Sequence, residues 1–126
     1  MSTSVKIEKG QAFWLADPQE HDFPAAYDYL ELLFIPEECK AFVDKLRGAT
    51  TIKKKSKDIL RASALPLLPD TNRHVKENLR KIKKKEKLSP ILLVRANGKL
   101  IIADGYHRLC ASYYFTEDLD VPCRLV

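Results

Sequence analysis

Five consecutive residues, Asp104-Gly105-Tyr106-His107-Arg108, bring a carboxylate, a glycine, a phenol, an imidazole and a guanidinium to the point where a strand pattern gives way to a helical one. A helix that opens there presents unpaired backbone N–H groups at the positive end of its dipole, and anions bind at such ends. Gly105 lets the backbone approach an oxygen closely, His107 offers a ring N–H, and Arg108 offers a planar fork matched to phosphate oxygens. Asp104 shapes the turn. A cation in a first helical turn opposes the dipole by ~0.3–1 kcal/mol, so Arg108 is more easily explained if it holds a ligand anion. The plain alternative is that Asp104 caps the helix, Gly105 turns the chain, and His107 and Arg108 are surface residues.

The elements around this turn are the most legible in the chain. Pro90-Ile91-Leu92-Leu93-Val94 is a short apolar run of β type, Asn97-Gly98 is the strongest hairpin dipeptide, and Lys99-Leu100-Ile101-Ile102-Ala103 is a second strand antiparallel to the first. Leu109, Ala111, Ser112 and Tyr113 continue as a helix to about Phe115, and Val121-Pro122-Cys123-Arg124-Leu125-Val126 returns as a closing strand. The order strand, turn, strand, helix, strand makes an α/β core of mixed, α+β type.

Upstream, Phe13-Trp14-Leu15 is an apolar spot able to pack back on the domain as an arm. Asp22-Phe23-Pro24 reads as a helix start with Asp22 capping, and Pro36 opens a second helix with Cys39, Phe42, Val43 and Leu46 on one stripe, giving a helical hairpin. The lysines of 51–59 obscure any pattern there, and Asp58 to Ser63 leads into Leu65-Pro66-Leu67-Leu68-Pro69, an extended or looped connector where the prolines forbid a continuing helix. Asp70, Thr71 or Asn72 then caps a basic helix from about Arg73 to Lys85, with Val75, Leu79 and Ile82 as a narrow apolar stripe.

A chain of 126 residues with 45% hydrophobic residues makes one compact unit, divided here into an N-terminal arm and helical extension (1–50) and a core (51–126). No apolar run is long enough to cross a bilayer and Met1 to Lys6 lacks a signal-peptide apolar region, so no membrane partner and a cytoplasmic location are expected. Cys39, Cys110 and Cys123 have neither CxxC nor Cys/His spacing, which argues for small buried thiols and against structural zinc. The net charge of +5 is uneven: Lys53, Lys54, Lys55 and Lys57 form one cluster and Arg80 to Lys87 another, either as solvated surface or as an attractor of anions.

The sequence resembles the ParB/sulfiredoxin-like superfamily through Ser89-Pro90-Ile91-Leu92-Leu93-Val94, then Leu100 to Leu109 with the turn inside it, then Val121 to Val126. The resemblance reaches back weakly to Asp58-Ile59-Leu60-Arg61 and covers roughly residues 58–126. It implies a small mixed sheet with flanking helices, in a stand-alone domain like the ParB N-terminal module. It also implies nucleotide phosphates (ATP, ADP or CTP, with Mg²⁺ as a companion) at Asp104, Gly105, Tyr106, His107 and Arg108, with Arg61 a further candidate by position. Sulfiredoxin activity is not expected: where that enzyme has a cysteine nucleophile this chain has Tyr106. A partition protein's helix-turn-helix and dimerisation domain find no residues after Val126.

The leading expectation is therefore nucleotide phosphate binding, with hydrolysis or phosphotransfer as the reaction classes and Asp58, Asp104, Glu117 or Asp118 as the carboxylates able to act as base or metal ligand. The alternative is a DNA-binding or nuclease-like module using the lysine clusters, where the lack of interleaved aromatics limits contact to sequence-tolerant electrostatics. A third reading is a non-enzymatic protein whose N-terminal helices bind another chain.

Overall fold

A computed structural model describes residues 13–126. Asn97 and Gly98 both take positive φ, 56° and 72°, which is what a two-residue hairpin of the primed type demands. They join β2 (Ile91–Ala96) to β3 (Lys99–Asp104). The pairing runs Ala96 to Lys99 through Leu93 to Ile102 and then shifts, setting Asp104 opposite Leu92 where an unbroken register would set it opposite Ile91. That bulge lies one residue before the turn, and bulges of this kind re-aim the side chains beyond them.

From β3 the chain enters α5 (Tyr106–Tyr113) and returns as β4 (Asp120–Leu125), which lies parallel to β2 with Cys123 beside Ile91 and Leu125 beside Leu93. On the outer side of β4 lies β1 (Ile52–Lys55), antiparallel, giving the order β1-β4-β2-β3. One face of the sheet is covered by α1 (Asp22–Leu30) and α2 (Pro36–Gly48), whose Phe23, Ala26, Leu30, Val43 and Leu46 share a core with Leu92, Val94 and Ala103. The other face carries α3 (Ser56–Ser63) and α5, packed on Ile91, Leu93, Ile102, Val121 and Cys123. Helices on both faces explain why Ile91 to Val94 is buried without alternation. Behind α5 lies α4 (Arg73–Lys83), whose Val75 packs on Cys110 and Ala111. Among the described residues, five helices around a four-stranded mixed sheet make this a mixed α+β fold.

Several local expectations are met. Trp14, only 3% exposed, bridges to Leu88, and Phe13 stacks 5.1 Å from Phe115, so the apolar spot does pack back as an arm. Asn72 caps α4, its Oδ1 accepting from the amides of His74 and Val75. All three cysteines are buried and free.

Two stretches that the sequence left open take definite form, and one expectation is corrected. Residues 56–63 form a helix, because the amides of Ser56 and Lys57 donate to the carbonyls of Leu119 and Glu117, and the Ser56 hydroxyl donates to Glu117 as well. Those acceptors come from the α5–β4 loop, some 60 residues away in sequence, and no local pattern reports them. The lysines before it form β1, all of whose residues are exposed, and lysine on an edge strand discourages pairing with another chain. Asp22 does not cap α1: it lies inside the first turn, where its Oδ2 accepts from the Gln19 amide at 2.8 Å. Among the described residues no helix is long and apolar enough to cross a membrane.

Candidate functional site

Gly105 occupies the position before α5 with φ +108°, and no side chain caps the helix that follows. An ideal Cβ on Gly105 would lie 2.6 Å from Ile91 Cδ1 and 3.0 Å from Arg108 Nη2. Glycine is thus required twice over, for its backbone conformation and for the close packing of the chain against itself. The space on that side of the glycine is filled by Ile91 and Arg108 and does not serve as a phosphate cradle.

Arg108 is turned inward. Its Nε donates to the Ser89 carbonyl at 2.9 Å, and Nη2 donates to the Pro90 carbonyl at 3.1 Å and to Asp104 Oδ2 at 2.8 Å. Both side chains of this ion pair are 17% exposed. The cation that sits against the helix dipole has its counter-charge within the chain, so the sign argument that assigned Arg108 to a ligand phosphate is corrected: the guanidinium ties the entry of β2 to the exit of β3. Burial pushes the Asp104 carboxyl above its ordinary value, and the neighbouring Arg108 opposes that push. Desolvation is the larger effect, as expected where a pair is taken largely out of water.

Tyr106 is also committed, because its hydroxyl donates to the Pro66 carbonyl and, together with the Tyr114 hydroxyl on the Leu68 carbonyl at 2.6 Å, pins the connector 65–69 over α5. Arg61 is not at the turn at all. It lies on α3 with its side chain 85% exposed, 3.3 Å from Asp58, and lines a hollow of about 590 Å³ with Tyr113 and Glu117 at the opposite end of α5.

His107 is the residue of the turn with a side chain still able to meet a ligand. Its ring lies 5.7 Å from that of Tyr106 and 4.8 Å from that of His74, which comes from the first turn of α4. Burial first, then the charges of His74 and Arg108, lower the pKa of His107 from its ordinary value. His74 was not singled out in the sequence. The one signal was its place just after the Asn72 cap; what brings it to His107 is the packing of Val75 on Cys110 and Ala111, a tertiary contact.

Of the remaining carboxylate candidates, Asp58 is engaged at the surface with Arg61 and Asp118 with Lys57 at 2.7 Å, the latter contact holding the Asp118 carboxyl below its usual range, while Glu117 lines the hollow beside Arg61. Among the described residues no group of three or more His, Cys, Asp or Glu could hold a metal ion. The Asp104 carboxylate is paired with Arg108 at 2.8 Å.

Compared with family models, with curated proteins and with solved structures, the chain finds no match in any of the three.

Proposed function

We propose that the start of α5 is an anion site that takes a phosphate group of a nucleotide, as the resemblance of its turn to ParB/sulfiredoxin-like sequences implies. In this reading the leading amides of α5 and the imidazoles of His107 and His74 receive phosphate oxygens. Gly105 and the Asp104–Arg108 pair hold the turn and do not touch the ligand. The observation that carries it is a helix start with no side-chain cap, opened by a left-handed glycine and flanked by two imidazoles from two helices 4.8 Å apart. A phosphate there meets helix-end amides and the ring N–H donors of the two imidazoles. The reading is one of binding, and it assigns neither a reaction nor a metal ligand.

Calorimetric titration with ATP, ADP and CTP tests it. One of the three binds, His107→Ala and His74→Ala each weaken that binding at least about tenfold, the size of one lost charge-assisted contact, and both variants keep the thermal stability of the parent. Equal binding by parent and variants would remove the site. A nucleic-acid reading rests on the exposed lysines of β1 and on those from Lys83 to Lys87, and it requires affinity that falls steeply with salt and with removal of lysines from these clusters.

A further inference from the structure

The sheet face that carries α3 is not covered to its end. Beyond α3 the sheet leaves a cavity of about 430 Å³ with a floor of Leu93, Leu100 and Leu125 and a wall of Ile59 and Ala62. Lys54, Arg95 and Lys99 stand around it. These three cations form no salt bridge among the described residues, and the one acid in the lining, Asp58, is held by Arg61 at 3.3 Å.

The placement follows from the strands. Arg95 stands two residues after Leu93 on β2, so the two share a face, and Leu125 lies beside Leu93 in the parallel pairing with β4. Lys54 faces Val121 across β1 and β4 and so points to the same side. The arrangement is an aliphatic floor under a rim of uncompensated positive charge, in a volume within the usual range for small-molecule sites. It lies at the beginning of β3, while the anion site lies at its end, roughly 17 Å away for a strand of this length. The two sites have no residue in common.

We infer that this cavity binds a soluble amphipathic carboxylate, an alkyl chain lying on Leu93, Leu100 and Leu125 with its head group among Lys54, Arg95 and Lys99. A nucleotide is the poorer occupant because no aromatic side chain lines the cavity to stack on a base. Exposed lysines alone would not argue for a ligand; three unpaired cations over an apolar floor do, because an amphiphile satisfies both at once.

The test is a titration of the ¹⁵N-labelled protein with hexanoate, octanoate and decanoate below their micellar concentrations. Saturable amide shifts are expected at Ala96, Gly98, Lys99 and Leu100, with affinity rising about fourfold per methylene. Decanol should bind at least about tenfold more weakly than decanoate, and the exposed-residue double variant Arg95→Ala/Lys99→Ala should lose that preference while keeping its fold. Octanoate and decanoate binding with equal affinity, a preference unchanged in the double variant, or shifts scattered away from the cavity would each overturn the inference. Co-sedimentation with anionic phospholipid vesicles that depends on Arg95 and Lys99 would also overturn it, by assigning the rim to a membrane surface. None of these outcomes depends on His107 or His74, so the cavity and the anion site stand or fall separately.

Discussion

Arg108 Nη2 lies 2.8 Å from Asp104 Oδ2 across the left-handed Gly105, and the same guanidinium takes the carbonyls of Ser89 and Pro90. One side chain thereby fixes three segments: the start of β2, the end of β3 and the first turn of α5. Arg108→Ala leaves a largely buried carboxylate and two carbonyls without their donor, so it is expected to destabilise the protein by about 3 kcal/mol. Arg108→Lys recovers only part of this, because an ammonium cannot serve three acceptors in a planar fork. Urea denaturation of the two variants checks the order.

Gly105 and Gly98 share a positive φ, but their surroundings differ. At Gly98 no atom lies within 4 Å of an added Cβ, while at Gly105 the Ile91 side chain lies 2.6 Å away. Gly98→Ala is expected to cost about 1 kcal/mol from backbone conformation alone. Gly105→Ala adds an overlap with Ile91 and should cost at least about 2 kcal/mol. Equal losses in the two variants would mean that the Ile91 contact carries no weight.

Much of this region was legible because its signals are local. The Asn97-Gly98 turn, the apolar runs on either side of it and the change of period after Gly105 each reside in a few adjacent residues. The anion site was legible as a place and misread in its parts. The sequence places Arg108 in a first turn but cannot say that Ser89 and Pro90 present their carbonyls to it. Those partners are set by the β2–β3 pairing and its bulge at Leu92 and Leu93. Likewise α3 owes its first hydrogen bonds to Glu117 and Leu119, and His74 reaches His107 only because α4 docks on α5.

The lowered pKa of His107 has a signed consequence. Between the lowered value and the ordinary value near 6.5 the unfolded chain binds more protons than the folded one, so stability falls as pH drops through that window. His107→Gln removes the titration, and the stability difference between parent and variant should therefore shift against the parent as pH falls below about 6.5. Urea midpoints collected from pH 7.5 to pH 5 check the sign.

Burial pushes the Cys123 thiol up to about 11, against a smaller opposing effect of Lys54, and its side chain is wholly enclosed. The thiolate is the reactive form, so Cys123 should resist alkylation at pH 8 in the folded protein and react at once in denaturant. Cys39 and Cys110, also buried with raised values, should behave alike. Peptide mass mapping after a short iodoacetamide pulse distinguishes the three.

The central claim is that the first amides of α5 and the two imidazoles receive an anion, and sulfate is the cleanest probe because its charge is constant from pH 5 to pH 8. Amide and histidine ring resonances are followed during a sulfate titration of the parent and of His107→Ala. The account predicts saturable shifts concentrated at Gly105, Tyr106 and His107, a rise in the His107 pKa on binding, tighter binding at pH 5.5 than at pH 7.5, and loss of saturation in the variant. Shifts that are absent, or that are the same in parent and variant, would contradict it.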